Sequence, residues 1–245
     1  MRMTTRIKGA LFDKDGTLID FTATWRGLVE GMIADYAGPD EALRAALGAA
    51  IGFDVTTGLF LPGSPVVAGS TGEVAALMAA LLPRVPAAEI EAEANRRAAA
   101  AGAGDSDAML APTPGLDEAL ERLSGMRLAL GVATHDSEAA ARAHVRALGL
   151  ERRFSFYAGY DSGFGLKPGP GMARAFCSAT GFAPEEIVMI GDSIHDLGAG
   201  RAAGAAAVIG VLTGPATEAE LAPHADAIIH AVADLPDFLI RRFPA

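Results

Sequence analysis

The sequence predicts an α/β protein: a doubly wound parallel sheet interrupted after its first strand by an all-helical insertion. Three observations carry this. The second half of the chain alternates short β-prone runs with helix-length segments, the pattern of a parallel sheet covered on both faces. Near the N-terminus, residues 7–12 form an isolated β-prone run that opens into a polar, glycine-containing loop. Between these regions, from Phe21 to about Gly102, the chain is rich in Ala, Leu, Glu and Arg at helical spacing.

In chain order, the strand at 7–12 ends in the loop Asp13-Lys14-Asp15-Gly16-Thr17. Helices are predicted over 22–36, 40–51, 73–82 and 87–101. They are interrupted by residues 52–72, a Gly/Pro/Thr/Ser-rich stretch read as a functional loop exposing Phe53, Phe60 and Leu61. Pro112-Thr113-Pro114-Gly115 then marks a break. After it come a helix over 116–123, a strand over 127–133, a helix over 137–148, a strand over 154–158 and a helix over 171–180. A strand over 187–190, a helix over 196–203, a strand over 206–211 and a short strand near 227–229 complete the pattern. Residues 1–18 and 113–245 thus form the α/β core, and residues 19–112 the insertion.

A chain of 245 residues, 51% of them hydrophobic, has ample material for a core. Its formal charge of −10 disfavours nucleic acid and anionic membrane surfaces as partners and points to a small molecule. The apolar run at 202–212 falls well short of the roughly 18 residues of a membrane helix. Arg2, Arg6 and Lys8 precede an apolar stretch that Asp13 cuts off too early for an export signal. Cys177 is the only cysteine, which excludes an internal disulfide and suits a reducing cytoplasm. The expectation is a cytoplasmic monomer or homodimer.

Chemistry is concentrated where strands end. Asp13 and Asp15, one residue apart, leave an extended strand toward the same side, before Gly16 lets the chain turn. The same alternation turns Lys14 away from both acids and gives it no catalytic task. Taken alone, such a run suits a solvated turn as well as an active site. A second acidic cluster, Gly191-Asp192-Ser193-Ile194-His195-Asp196, follows another β-prone run. Asp192 and Asp196 share a face if a helix starts there. In a parallel sheet both clusters lie on the same edge, where open α/β proteins place their ligands. Converging carboxylates call for a cation, and an all-oxygen set suits Mg²⁺. Thr134, a hydroxyl at a strand tip, and Lys167, one of only three lysines, fit a phosphate group, although singly each reads as structural or solvated.

Together, Asp13-Lys14-Asp15-Gly16-Thr17-Leu18, Thr134, Lys167-Pro168 and Gly191-Asp192-Ser193 through Asp196 resemble the four signature motifs of the haloacid-dehalogenase superfamily. The resemblance implies a Rossmann-like core with a helical cap. It also implies a phosphatase in which Asp13 forms an aspartyl-phosphate and Asp15 serves as acid and then base. Thr134 and Lys167 would hold the phosphoryl oxygens. Asp13, Asp192 and the backbone carbonyl of Asp15 would hold Mg²⁺, with Asp196 acting through water or by orienting Lys167.

The inserted block resembles the cap of the subgroup containing phosphoglycolate phosphatases and sugar-phosphate mutases, which makes a small phosphorylated metabolite the expected substrate. Residues 19–112 contain neither lysine nor histidine, which argues against imine chemistry and against hydroxyl-proton shuttling. A mutase, or a non-catalytic phosphate-binding protein, remains the alternative. His135 stands where relatives often have asparagine, either touching substrate or serving as a loop imidazole. Arg26, beside Trp25, is a candidate for pairing with a substrate carboxylate, or else a surface residue. His144, His195, His224 and His230 are expected at the surface or in packing.

Overall fold

Gly9–Phe12 (β1) is buried along its whole length, as expected of a strand covered on both faces. The computed structural model describes residues 6–61, 63–101 and 110–244. Arg2 and the rest of 1–5, residue 62, the predicted insertion's 102–109 and residue 245 lie outside these.

After β1 the chain enters the insertion. Helix α1 (Phe21–Ala37) starts where the Asp20 side chain accepts from the Ala23 N–H at 2.9 Å, and α2 (Glu41–Ile51) where Asp40 does the same for Leu43 at 3.0 Å. Each such cap contributes about 1 kcal/mol. Two short antiparallel strands, β2 (Phe53–Asp54) and β3 (Leu59–Phe60), follow. The insertion is therefore not all-helical as predicted. Gly52, with φ at 78°, ends α2 in a left-handed turn and sends the chain back as a ribbon. Phe53 is consequently buried rather than exposed, and the Phe60 ring lies 5.0 Å from it and 4.8 Å from that of Phe21. Leu61 is exposed as predicted. Among the described residues of the block, three helices follow: α3 (Pro65–Ala68), α4 (Thr71–Ala79) and α5 (Ala87–Ala100). A reciprocal Ser70/Glu73 capping box starts α4 ahead of the predicted residue 73. Ile33, Leu47, Ile51, Phe53, Met78 and Ile90 are among the residues forming the insertion's own core.

The chain leaves and re-enters the core along two adjacent segments. Asp20 N–H donates to the Ala111 carbonyl at 2.8 Å, and Thr113 N–H to that of Leu18 at 3.0 Å. Alternation then runs through α6 (Leu116–Gly125), β4 (Ala129–Ala133), α7 (Glu138–Ala147), β5 (Phe154–Ala158) and α8 (Gly171–Thr180). It continues through β6 (Ile187–Gly191), α9 (Ile194–Ala203), β7 (Ala207–Val211), α10 (Glu218–Leu221), β8 (Ala227–Ile229) and α11 (Leu235–Arg242). The last helix, unpredicted, opens with Pro236 in its first turn, where a missing N–H costs nothing.

The six core strands are all parallel, in the order β5-β4-β1-β6-β7-β8. One face packs Phe12, Val132 and Ile190 against Leu120, Val145 and Leu239, and the other packs Leu11 and Met189 against Phe176 and Leu197. Helix α8 sits close because β1 and β4 carry glycine beneath Phe176. A Cβ at Gly9 or Gly131 would lie 2.9 or 2.8 Å from its ring. No described helix is long and apolar enough to cross a membrane.

Candidate active site

With β1 between β4 and β6, three loops leave adjacent strand ends on one edge of the sheet. They bring Asp13, Thr134 and Asp192 together at the base of one cavity, with Lys167 reaching in from the glycine-rich loop after β5. Lys167 Nζ donates to Asp13 Oδ1 at 2.6 Å, Asp196 Oδ1 at 2.5 Å and the Ala133 carbonyl at 3.1 Å. Burial alone would lower its pKa, yet Asp13 and Asp196 hold it above the ordinary lysine value. Thr134 Oγ1 accepts from the Asp136 N–H at 3.1 Å, which fixes the hydroxyl at the cavity wall.

Asp13, Asp192 and Asp196 each place one carboxylate oxygen within 4.8 Å of the others. Asp196 has a second occupation. Its Oδ2 accepts from Ser193 N at 3.0 Å and Ser193 Oγ at 2.6 Å, in the capping box that starts α9. One side chain thus ties the helix terminus to Lys167. Thr17 Oγ1 donates to Asp192 Oδ1 at 3.0 Å. Two glycines press on the same carboxylate: a Cβ at Gly16 or Gly214 would lie 2.4 or 1.8 Å from Asp192 Oδ2. Burial raises the Asp13 carboxyl to about 7 against the pull of Lys167, and burial, Asp13 and Asp196 raise Asp192 well above the carboxylate range. The protein side chains therefore leave a deficit of positive charge among hard oxygen donors, and a divalent cation such as Mg²⁺ fits that donor set.

Asp15 sits beside this cluster, with its carboxylate turned toward a second buried network. Lys14 is fully buried, and its Nζ lies 2.8 and 2.7 Å from the two Asp15 oxygens. It also lies 3.1 Å from His144 Nδ1, and 3.2 Å from Asp136 Oδ2 without the alignment of a hydrogen bond. The expectation that Lys14 turns away from both acids is thus overturned for Asp15. Strand alternation stops with β1 at Phe12, and the turn at Gly16, with φ at 77°, folds residues 13–16 so that neighbours meet. From the insertion, Trp25 Nε1 donates to Asp15 Oδ1 at 2.6 Å, and its ring lies 4.9 Å from Lys14 Nζ.

His144, expected at the surface or in packing, is a buried member of this network. Its Nδ1 accepts from Lys14 and its Nε2–H donates to the Ala98 carbonyl of α5 at 2.6 Å. Burial, then Lys14, lower its pKa from 6.5 to about 4. Between those values the unfolded chain binds a proton there that the folded chain refuses, so the stabilisation is complete above pH 6.5 and is lost as pH falls toward 4. Wild type is expected to lose up to roughly 3 kcal/mol more than His144→Gln across this window. Urea melts of both proteins at a series of pH values check it, and equal losses would refute it.

His135 lines the cavity, but both ring nitrogens are engaged by backbone. Nδ1–H donates to the Ala68 carbonyl of α3 at 3.0 Å, and Nε2 accepts from the Lys167 N–H at 3.0 Å. Burial, then Lys167, lower its pKa to about 4, consistent with this neutral form. Arg26 lies outside the cavity, half-exposed and paired with Glu30 at 3.0 Å, so the structure does not bring it to the other candidates. Helical spacing explains the correction: Trp25 points to the core, and the next residue is carried round to solvent. Residues 52–72 do reach the site, through Val66 to Thr71 rather than through Phe53 or Phe60. Trp25 and Asp136 were given no role from sequence, His144 was placed at the surface or in packing, and Lys14 was read as turned away with no catalytic task.

Comparison with known proteins shows which proteins the chain resembles. The chain is 36% identical over 126 residues to a phosphoglycolate phosphatase of Chromobacterium violaceum, a match covering 51% of this chain and about half, 55%, of that relative. It is 31% identical over 219 residues to the probable phosphatase IndB of Dickeya dadantii, covering 86% of this chain and 84% of that one. The crystal structure of CbbY from Rhodobacter sphaeroides in complex with phosphate superposes with a TM-score of 0.67 at 24% identity, covering 94% of this chain and 96% of that one. The sequence profile of the haloacid dehalogenase-like hydrolases matches residues 7–204. The chain belongs to the haloacid dehalogenase-like hydrolase family.

Proposed function

We propose that the chain is a Mg²⁺-dependent phosphatase that hydrolyses a small organic phosphate monoester through a phosphoryl group carried on Asp13. The observation that supports it best is Lys167 held between Asp13 and Asp196 at the base of a cavity that Thr134 and Asp192 also line. Asp13 is the nucleophile, and a carboxylate there divides hydrolysis into two easier displacements. Asp15, oriented by Lys14 and Trp25, gives a proton to the departing alcohol and then takes one from the attacking water. Lys167 and Thr134 hold the phosphoryl oxygens, and Asp196 keeps Lys167 extended. Asp13, Asp192 and the Asp15 backbone carbonyl would hold Mg²⁺. When bound it supplies charge neutralisation for phosphoryl transfer. Residues 19–112 act as a cap that excludes water. Several relatives are named phosphoglycolate phosphatases, which supports a small phosphate monoester as the substrate class.

p-Nitrophenyl phosphate tests the reading. Phosphate release is expected with Mg²⁺, loss of essentially all turnover with chelator, and recovery when Mg²⁺ is restored. Turnover that chelator leaves untouched would refute the metal assignment. No release from any ester of a broad panel would favour a phosphate-binding protein on the same fold.

A further inference from the structure

The cavity over Asp13 has two unlike halves. The core supplies its floor, with four carboxylates, Asp13, Asp15, Asp136 and Asp192, together with Thr134 and Lys167. The insertion supplies the opposite wall, and that wall is mainly apolar: Leu28, Val29, Met32, Val66, Val74 and Met78 line it, with the rings of Phe21 and Trp25 nearer the floor. Its hydroxyls are Ser70 and Thr71, and Ser70 is already engaged by Glu73.

None of the five arginines of the insertion lines the cavity. Arg26 pairs with Glu30, Arg96 and Arg97 pair with Glu93, Arg44 lies beside Glu41, and Arg84 is exposed. Among the lining residues the only lysine or arginine is Lys167, which is committed to Asp13 and Asp196.

A substrate carboxylate would therefore be buried among methyl and methylene groups, beside like charges and without a cation. Such a charge is expensive to desolvate. The several hydroxyls of a sugar would find only Thr71 and the engaged Ser70 as side-chain hydroxyl partners on this wall. An apolar group loses nothing there and gains by leaving water. Size narrows the choice further. The cavity measures about 140 Å³ and has to hold the phosphoryl group over Asp13 as well, which leaves room for a short alcohol only.

We propose that the alcohol half of the substrate is uncharged and apolar, a short branched or unsaturated aliphatic alcohol, so that this chain selects against carboxylated and polyhydroxylated phosphates. The proposal rests on the phosphatase reading above and deepens it. The insertion sets specificity through an absence of cations, and Lys167 serves the phosphoryl group alone.

The test is a set of kcat/KM values for isopentyl phosphate, phosphoglycolate, glycerol phosphate and p-nitrophenyl phosphate, with wild-type enzyme and Mg²⁺. Isopentyl phosphate is expected to exceed phosphoglycolate by about 10- to 200-fold, the range that apolar pocket contacts supply. Its alkoxide is the poorer leaving group, so that order has to come from binding. Val66→Arg, which adds a guanidinium to the half-buried wall, is expected to lower the isopentyl value and raise the phosphoglycolate value. Val74→Arg does the same from a second helix should the first variant fail to fold. Equal or faster turnover of phosphoglycolate by wild type overturns the proposal while leaving the phosphatase reading intact. No turnover of any ester, p-nitrophenyl phosphate included, overturns both.

Discussion

Replacing Asp13 by Asn is expected to lower kcat by about 10⁴-fold or more, the scale of loss seen when a covalent nucleophile is removed. The substitution keeps the shape that packs against Lys167 and removes the charge and nucleophilicity of the oxygen now 2.6 Å from Nζ. The folded protein should survive it, because burial already pushes this carboxyl up to about 7 and a neutral side chain relieves that cost. The measurement is kcat beside a urea melt, with acid-quenched protein assayed for covalently held phosphate. Wild type should show the label and Asp13→Asn none. Turnover retained by the variant would remove Asp13 from the mechanism.

Lys14→Met carries the second large effect, here on stability and turnover together. Lys14 is fully buried and is the cation facing Asp15, Asp136 and the His144 ring. Breaking such a pair from one side leaves uncompensated buried charge and costs about 3–5 kcal/mol. Asp15 would keep only the Trp25 N–H among these partners, and a loosened acid–base group at this distance from the chemistry costs about 10²-fold in rate. Adding Asp136→Asn to Lys14→Met separates the two effects. Stability should largely return, since a neutral amide replaces the stranded acid, while kcat stays low because Asp15 remains unheld. Recovery of both together would show that Lys14 supports the fold alone.

What could be read from the sequence depended on whether a residue's partners follow from local geometry. Strands β1 and β6 were readable because burial on both faces demands an unbroken apolar run, and each run stops at an acid, Asp13 and Asp192. The parallel alternation then placed both acids on one edge. The Lys167 contacts with Asp13 and Asp196 follow a loop path that no periodicity describes, and family resemblance supplied that grouping. Lys14 was misread because strand geometry was carried past Phe12 into a turn. His144 gave no signal, since a histidine on an Ala-rich helix reads the same whether it meets solvent or a lysine 130 residues away. Trp25 and Met32 likewise fit a helix core as readily as a cavity wall. Only the folded insertion shows that both line the cavity.

The central place of β1 also bears on how the protein is made. Its two neighbours, β4 and β6, begin at Ala129 and Ile187, while β1 ends at Phe12. At ribosomal rates of about 5–20 residues per second, the last of these partners emerges roughly ten to forty seconds after β1. During that interval the insertion can collapse on contacts of its own, whereas the apolar Ala10-Leu11-Phe12 has no strand to pair with until β4 is made, and only one of its two partners until β6 follows. The segment that leads into Asp13 is therefore paired on both sides only after the whole insertion and most of the core have been made.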